Sequence, residues 1–172
     1  MPFRRNPLRD AAERAYAAIV EQSRRPAFYT AFGVPDTLDG RFEVVCLHAF
    51  LYLRRLKAEA EPASALSQWL FDTMFADFDR SLREIGVGDL SVGRQINRMA
   101  EAFYGRIRAY EDGLAGDDAM LSAALARNLY GTAPASPDAL DRATAYLRRE
   151  AESLAALPAA VLVAGRVTFG AP

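Results

Sequence analysis

Between residues 91 and 114, apolar side chains recur every three or four positions: Val92, Ile96, Met99, Phe103, Ile107, Tyr110 and Leu114. At 100° per residue they fall on one narrow stripe, with Arg94, Arg98, Glu101, Arg108 and Asp112 opposite. Such a stretch is an amphipathic helix laid against a core, since a half-buried strand would alternate with period two. The same helical period governs the rest of the chain, and no convincing alternating run interrupts it. The expected fold is an all-α, single-domain bundle of six or seven helices.

Turn chemistry divides the chain. Helices are predicted at 8–25, 40–59, 62–86, 91–114, 117–130 and from 136 onward, with a helical turn at 26–32. Gly33 and the Val34-Pro35 step stop that turn, and Asp36, Thr37 and Asp39 offer oxygens to cap the next helix. Gly86 reads as a helix stop, Gly88 as a turn residue and Ser136-Pro137 as a cap with a first-turn proline. Pro158 should break or kink the last helix.

Over 40–59, Phe42, Cys46, Ala49, Leu53 and Leu56 make one apolar face while Val44, Leu47 and Leu51 cover much of the other. Arg41, His48 and Arg55 leave only a thin polar seam. A helix apolar nearly all round is either the central helix of its bundle or covers a partner, and the central place is expected here. Over 62–86 the apolar arc holds Leu66, Leu70, Phe71, Met74, Phe75, Phe78, Leu82 and Ile85. Trp69 falls instead among Gln68, Asp72, Asp79 and Arg83, where an aromatic can anchor a partner or be covered by a neighbouring element. Arg83 is placed to pair with Asp79, and Arg80 with Glu84. Asp77 lies at the margin of the arc; if buried it needs a cation, with Arg41, Arg94 and Arg106 as candidates.

Several function classes fall away. Net charge is −1, so the chain lacks the basic surplus of a general DNA or RNA binder. Cys46 is the single cysteine and His48 the single histidine. A disulfide, a cysteine zinc site and a di-metal centre built on paired Glu-x-x-His motifs are all out of reach. The acidic string Asp72, Asp77, Asp79, Glu84 and Asp89 reads as a solvated charged face, and no nucleophile is placed for His48 to activate. The segment 86–94 lacks the Gly-Lys-Ser/Thr ending of a phosphate loop. Neither catalysis, a cofactor nor a metal is expected. The apolar run 44–53 is half the roughly 20 residues of a membrane span. Residues 1–9 are basic and lead into an amphipathic helix rather than an apolar signal core. The expected location is the cytoplasm, with peripheral contact at the inner face of the inner membrane left open. The apolar segment 159–164 with Phe169 is expected to dock on the core.

Specific strings then carry a resemblance: YTAFGVPDTLDGRFE at 29–43, Leu47-His48-Ala49-Phe50-Leu51, QWLFDTMFADFDRSLRE at 68–84, GVGDLSVG at 86–93, AFYGR at 102–106 and Arg127-Asn128-Leu129-Tyr130. In combination they resemble the ubiquinol–cytochrome c chaperone family, over about residues 26–130, with a C-terminal helical extension at 136–165 beyond. The chain shows no targeting extension and so resembles a bacterial member. The resemblance implies a non-catalytic assembly factor of the cytochrome bc1 complex that binds newly made cytochrome b or another bc1 subunit. Mitochondrial members also act with a small partner protein and with the ribosome. Asp36, Asp39, Arg41, His48, Asp72, Asp77, Asp79, Arg83, Gly86, Gly88, Asp89, Gly93, Tyr104 and Arg106 match the family pattern. The partner surface expected from the residues is the polar side of helix 62–86 and the loop after it: Trp69, Asp72, Asp79, Arg83, Asp89 and Arg94. Arg41, His48, Asp77 and Arg106 are the candidates for a polar seam or structural pairing. An alternative function is a carrier of an apolar small molecule, such as quinone or haem, in an internal cavity.

Overall fold

Among the described residues, four of the six long helices begin where a local side chain takes up one of their first amides; the other two follow Pro62 and Gly88 without such a bond. The computed structural model describes residues 6–172; the basic stretch therefore lies outside it up to residue 5. Asn6 accepts from the Leu8 amide at 3.0 Å and Pro7 fills the first turn, opening α1 (Pro7–Ser23). After the short α2 (Ala27–Thr30), Thr37 takes the Gly40 amide at 3.1 Å and opens α3 (Leu38–Lys57). Of the three capping oxygens read from the sequence, Thr37 supplies the cap, which starts this helix two residues before the expected 40. Then follow α4 (Ala63–Glu84) and α5 (Asp89–Ala115). Asp117, accepting from the Met120 amide, opens α6 (Asp118–Asn128), and Ser136, accepting from the Ala139 amide, opens α7 (Pro137–Ala155). The last helix is broken before Pro158: α7 ends at Ala155, and α8 (Ala159–Val163) forms as a separate helix, one more than expected.

The bundle is built around α3, which packs on α1, α4, α5, α7 and α8. Val44, Cys46, Leu47, Ala49, Phe50, Leu51 and Tyr52 are all buried, as a helix apolar on both faces requires. Gly40 is needed at its start: a Cβ there would sit 1.8 Å from the Pro35 carbonyl oxygen, where the incoming chain crosses the first turn. The tail folds back, as expected. Leu162 is buried, the Phe169 ring meets His48 edge-on at 4.9 Å, and the Gln22 amide donates to Gly170 O at 2.7 Å. Among the described residues, no helix is long and apolar enough to cross a membrane.

Candidate functional site

The end of α1, the turn into α3 with its first turns, the face of α4, the middle of α5 and the end of α6 line an open groove of about 1070 Å³. Its apolar lining comes from Val20 on α1, Phe42 and Val45 on α3, Phe78 and Leu82 on α4, and Met99 on α5. Leu38, 54% exposed, stands among the lining residues. Polar residues complete it: Tyr29, Asp36, Asp39, Arg41, Glu43, Asp77 and Arg106, joined by Arg24, Arg98 and Arg127. Five of the motif residues scattered along the sequence (Asp36, Asp39, Arg41, Asp77 and Arg106) thus meet in one place.

Most of these charges are matched. Arg41 Nε donates to Asp36 Oδ1 at 2.7 Å on the surface, and that bond holds the Asp36 carboxyl below its ordinary range. Arg106 grips Glu43 with both arms of its guanidinium, Nε lying 2.7 Å from Oε2, and donates a further bond to Ala102 O at 2.9 Å. Glu43 is buried; desolvation pushes its carboxyl up while the Arg106 fork pulls it down. Asp77 is partnered by neither Arg41, Arg94 nor Arg106. Tyr16 donates to it at 2.8 Å and Arg80, one turn along the same helix, closes the pair. Arg41 and Arg106 are committed elsewhere and Arg94 is exposed on α5, so the nearest cation prevails over the long-range candidates. Arg80, expected to pair with Glu84, is turned instead toward Asp77, which also holds the Tyr16 hydroxyl.

The polar seam expected along α3 does not exist as a strip. Arg41 is on the surface, His48 is fully buried, and Arg55 is turned to Glu59 and the carbonyls of Leu154 and Leu157. His48 Nδ1 lies 2.8 Å from Val44 O, and Nε2 lies 2.8 Å from the Tyr146 hydroxyl, which accepts from Gln22. The consistent assignment is a neutral ring with its proton on Nδ1 and Nε2 accepting from Tyr146. Burial pushes the ring down to about 4. Cys46 is fully buried too, and its thiol is pushed up. The single histidine and the single cysteine are therefore sealed from any substrate.

The residues expected as a partner surface divide into two sets. Asp79, Arg83 and Asp89 meet at the α4–α5 turn: Arg83 Nε donates to Asp79 at 2.6 Å and another arm holds Asp89. Arg94 is exposed further along α5. Asp72, accepting from Gln68 at 2.8 Å, lies two turns, about 10 Å, before Asp79 along the helix. Trp69 is half-buried and packs against the core. The helical wheel placed it on the polar side, but an indole is large enough to reach the core from the margin. Trp69→Ala should therefore lower stability by roughly 1–2 kcal/mol, part of the cost of truncating a fully buried aromatic. Urea melts measure it; a change below about 0.3 kcal/mol would return Trp69 to the role of a surface anchor.

Sequence reading missed the groove as a unit, along with Arg24, Arg98 and Glu43. The signal available was the motif string 29–43, which holds Asp36, Asp39, Arg41 and Glu43 together but says nothing of what faces them.

The sequence model of one family, ubiquinol-cytochrome C chaperone, matches residues 30–169. A ubiquinol-cytochrome-c reductase complex assembly factor 1 from Xenopus laevis is 29% identical over 163 residues, 94% of this chain and 82% of that protein. Its Homo sapiens counterpart is 27% identical over 147 residues, covering 86% of this chain but 49% of its own length. The chain thus spans about half the length of the human relative. Among solved structures, the Cbp3 homolog from Brucella abortus superposes with a TM-score of 0.84 at 38% identity, covering 94% of this chain and 89% of that one.

Proposed function

The chain belongs to the ubiquinol-cytochrome C chaperone family, and from that premise we propose that it is an assembly factor of the cytochrome bc1 complex that holds a subunit and performs no chemistry on it. The client is newly made cytochrome b, and the groove beside α3 receives one of its apolar segments. The observation that carries this reading is the groove itself: an apolar lining several helices long, edged by charge, with the histidine and cysteine sealed elsewhere. An exposed transmembrane segment offers large apolar area, and burial contributes about 25 cal/mol per Å². A few hundred Å² would give several kcal/mol before the costs of association. A quinone or haem carrier calls for an enclosed apolar cavity, whereas arginines and carboxylates share this lining, which favours a protein segment.

The test is a reduced-minus-oxidised absorption spectrum of membranes from the source organism with and without the gene. Selective loss of the b-type and c-type signals of the bc1 complex is expected, restored by the native gene and poorly by Leu38→Glu. Unchanged cytochrome content and unchanged quinol oxidation without the gene would sink the proposal.

A further inference from the structure

The charges of the groove do not balance. Arg41 is matched by Asp36, Arg106 by Glu43, and Asp77 by Arg80. Asp39 stands in the first turn of α3, where the helix N-terminus favours a carboxylate. Three guanidinium groups are left over. Arg24 caps the end of α1, Arg98 is on α5 and Arg127 is in the last turn of α6, and all three are exposed. Among the described residues none of them has a carboxylate partner; Arg98 donates to the neutral Gln95 side chain at 2.8 Å. The ends of α1 and α6 favour positive charge near Arg24 and Arg127, yet give them no carboxylate. They come from separate elements and line the same groove as Phe42, Phe78 and Met99.

We infer that the groove accepts a helical segment of a partner protein with an apolar face edged by carboxylates, which Arg24, Arg98 and Arg127 receive. This rests on the client-holding function proposed above and specifies the chemistry of what is held. A guanidinium fork matches a carboxylate in shape as well as charge. The surplus also works in reverse, since a segment edged with lysines would bring like charges together. A helix with its side chains is about 10 Å across, a shape suited to a groove between helices. A membrane surface is not: it is flat, and Asp36 and Asp39 in the same lining repel anionic headgroups.

The experiment uses the full chain and two labelled peptides of about 18 residues, long enough for a helix of about 27 Å. Both carry a leucine stripe at helical spacing; one is edged with glutamates, its twin with lysines. By fluorescence anisotropy at low salt, the glutamate peptide should bind at least about tenfold tighter, a preference that shrinks as salt screens it. The double variant Arg98→Glu/Arg127→Glu should reverse the preference while its thermal melt stays cooperative and falls only slightly, both side chains being exposed and the charge reversal at the end of α6 being the one cost. Equal binding of the two peptides, or a preference indifferent to the arginines, overturns the inference. So does arginine-dependent sedimentation with phosphatidylglycerol vesicles in place of any peptide preference. The two proposals fail separately. Intact cytochrome spectra without the gene sink the assembly role and leave the peptide result standing. Normal spectra dependent on the gene, with no charge preference, sink only the inference.

Discussion

Replacing Arg106 by alanine is expected to lower the stability of the protein by roughly 3–5 kcal/mol, the cost of leaving a buried carboxylate without its partner. Glu43 and Arg106 have side chains only 10% and 20% exposed, so water cannot replace the lost fork. The Arg106 guanidinium also lies over the Phe42 ring at 5.9 Å, and that contact goes with it. Desolvation already pushes the Glu43 carboxyl up against the pull of Arg106, so loss of Arg106 should push it further up. Urea unfolding of Arg106→Ala beside Glu43→Leu/Arg106→Met checks both parts. The double variant should regain most of the loss, because it removes both charges and keeps the volume. A loss under about 1 kcal/mol in Arg106→Ala would mean that the pair behaves as a solvent-screened surface pair.

The second large effect is a loss of stability on mild acidification, with its origin in His48. The folded value of about 4 lies below the ordinary value of about 6.5, so the unfolded chain binds the extra proton first as pH falls. The contribution is full above pH 6.5 and disappears as pH falls toward 4; the loss is about 2 kcal/mol by pH 5 and about 3 kcal/mol in all. The structural reason is local. A protonated ring would turn Nε2 into a donor against the Tyr146 hydroxyl, which already accepts from Gln22. The Phe28 and Phe169 rings against the imidazole offer no water in its place. Urea melts at pH 7, 6 and 5 should show this slope, and His48→Gln should flatten it whatever its own cost at pH 7. A slope that persists in His48→Gln would assign the acid sensitivity to other groups.

Both effects act on α3, and they show how far residue order can be read. Burial of α3 was legible because apolar residues on both faces of one helix leave solvent nowhere to stand. Caps at Thr37 and Ser136 were legible because a cap is a bond between residues three apart. Pairing across helices was not. The wheel put Arg41, His48 and Arg55 on one seam, yet each is turned toward something different: Asp36, the Tyr146 hydroxyl and the end of α7. Asp77 could be recognised as needing a cation, but its choice depended on Arg80 being one turn away and on Glu43 having already taken Arg106.

The sequence by itself determined the helices, their order, the central place of α3 and the family, since these depend on periodicity, local caps and short strings of residues. Only the tertiary structure decided that Trp69 leans on the core, that His48 is dry, and that Arg24, Arg98 and Arg127 share one groove with the acidic turn before α3. The physical reason is range. A cap or an amphipathic stripe is fixed by neighbours within one or two turns of the chain. A charge facing a groove is fixed by whichever distant helices fold around it, and the energy of each such contact depends on the water they exclude together.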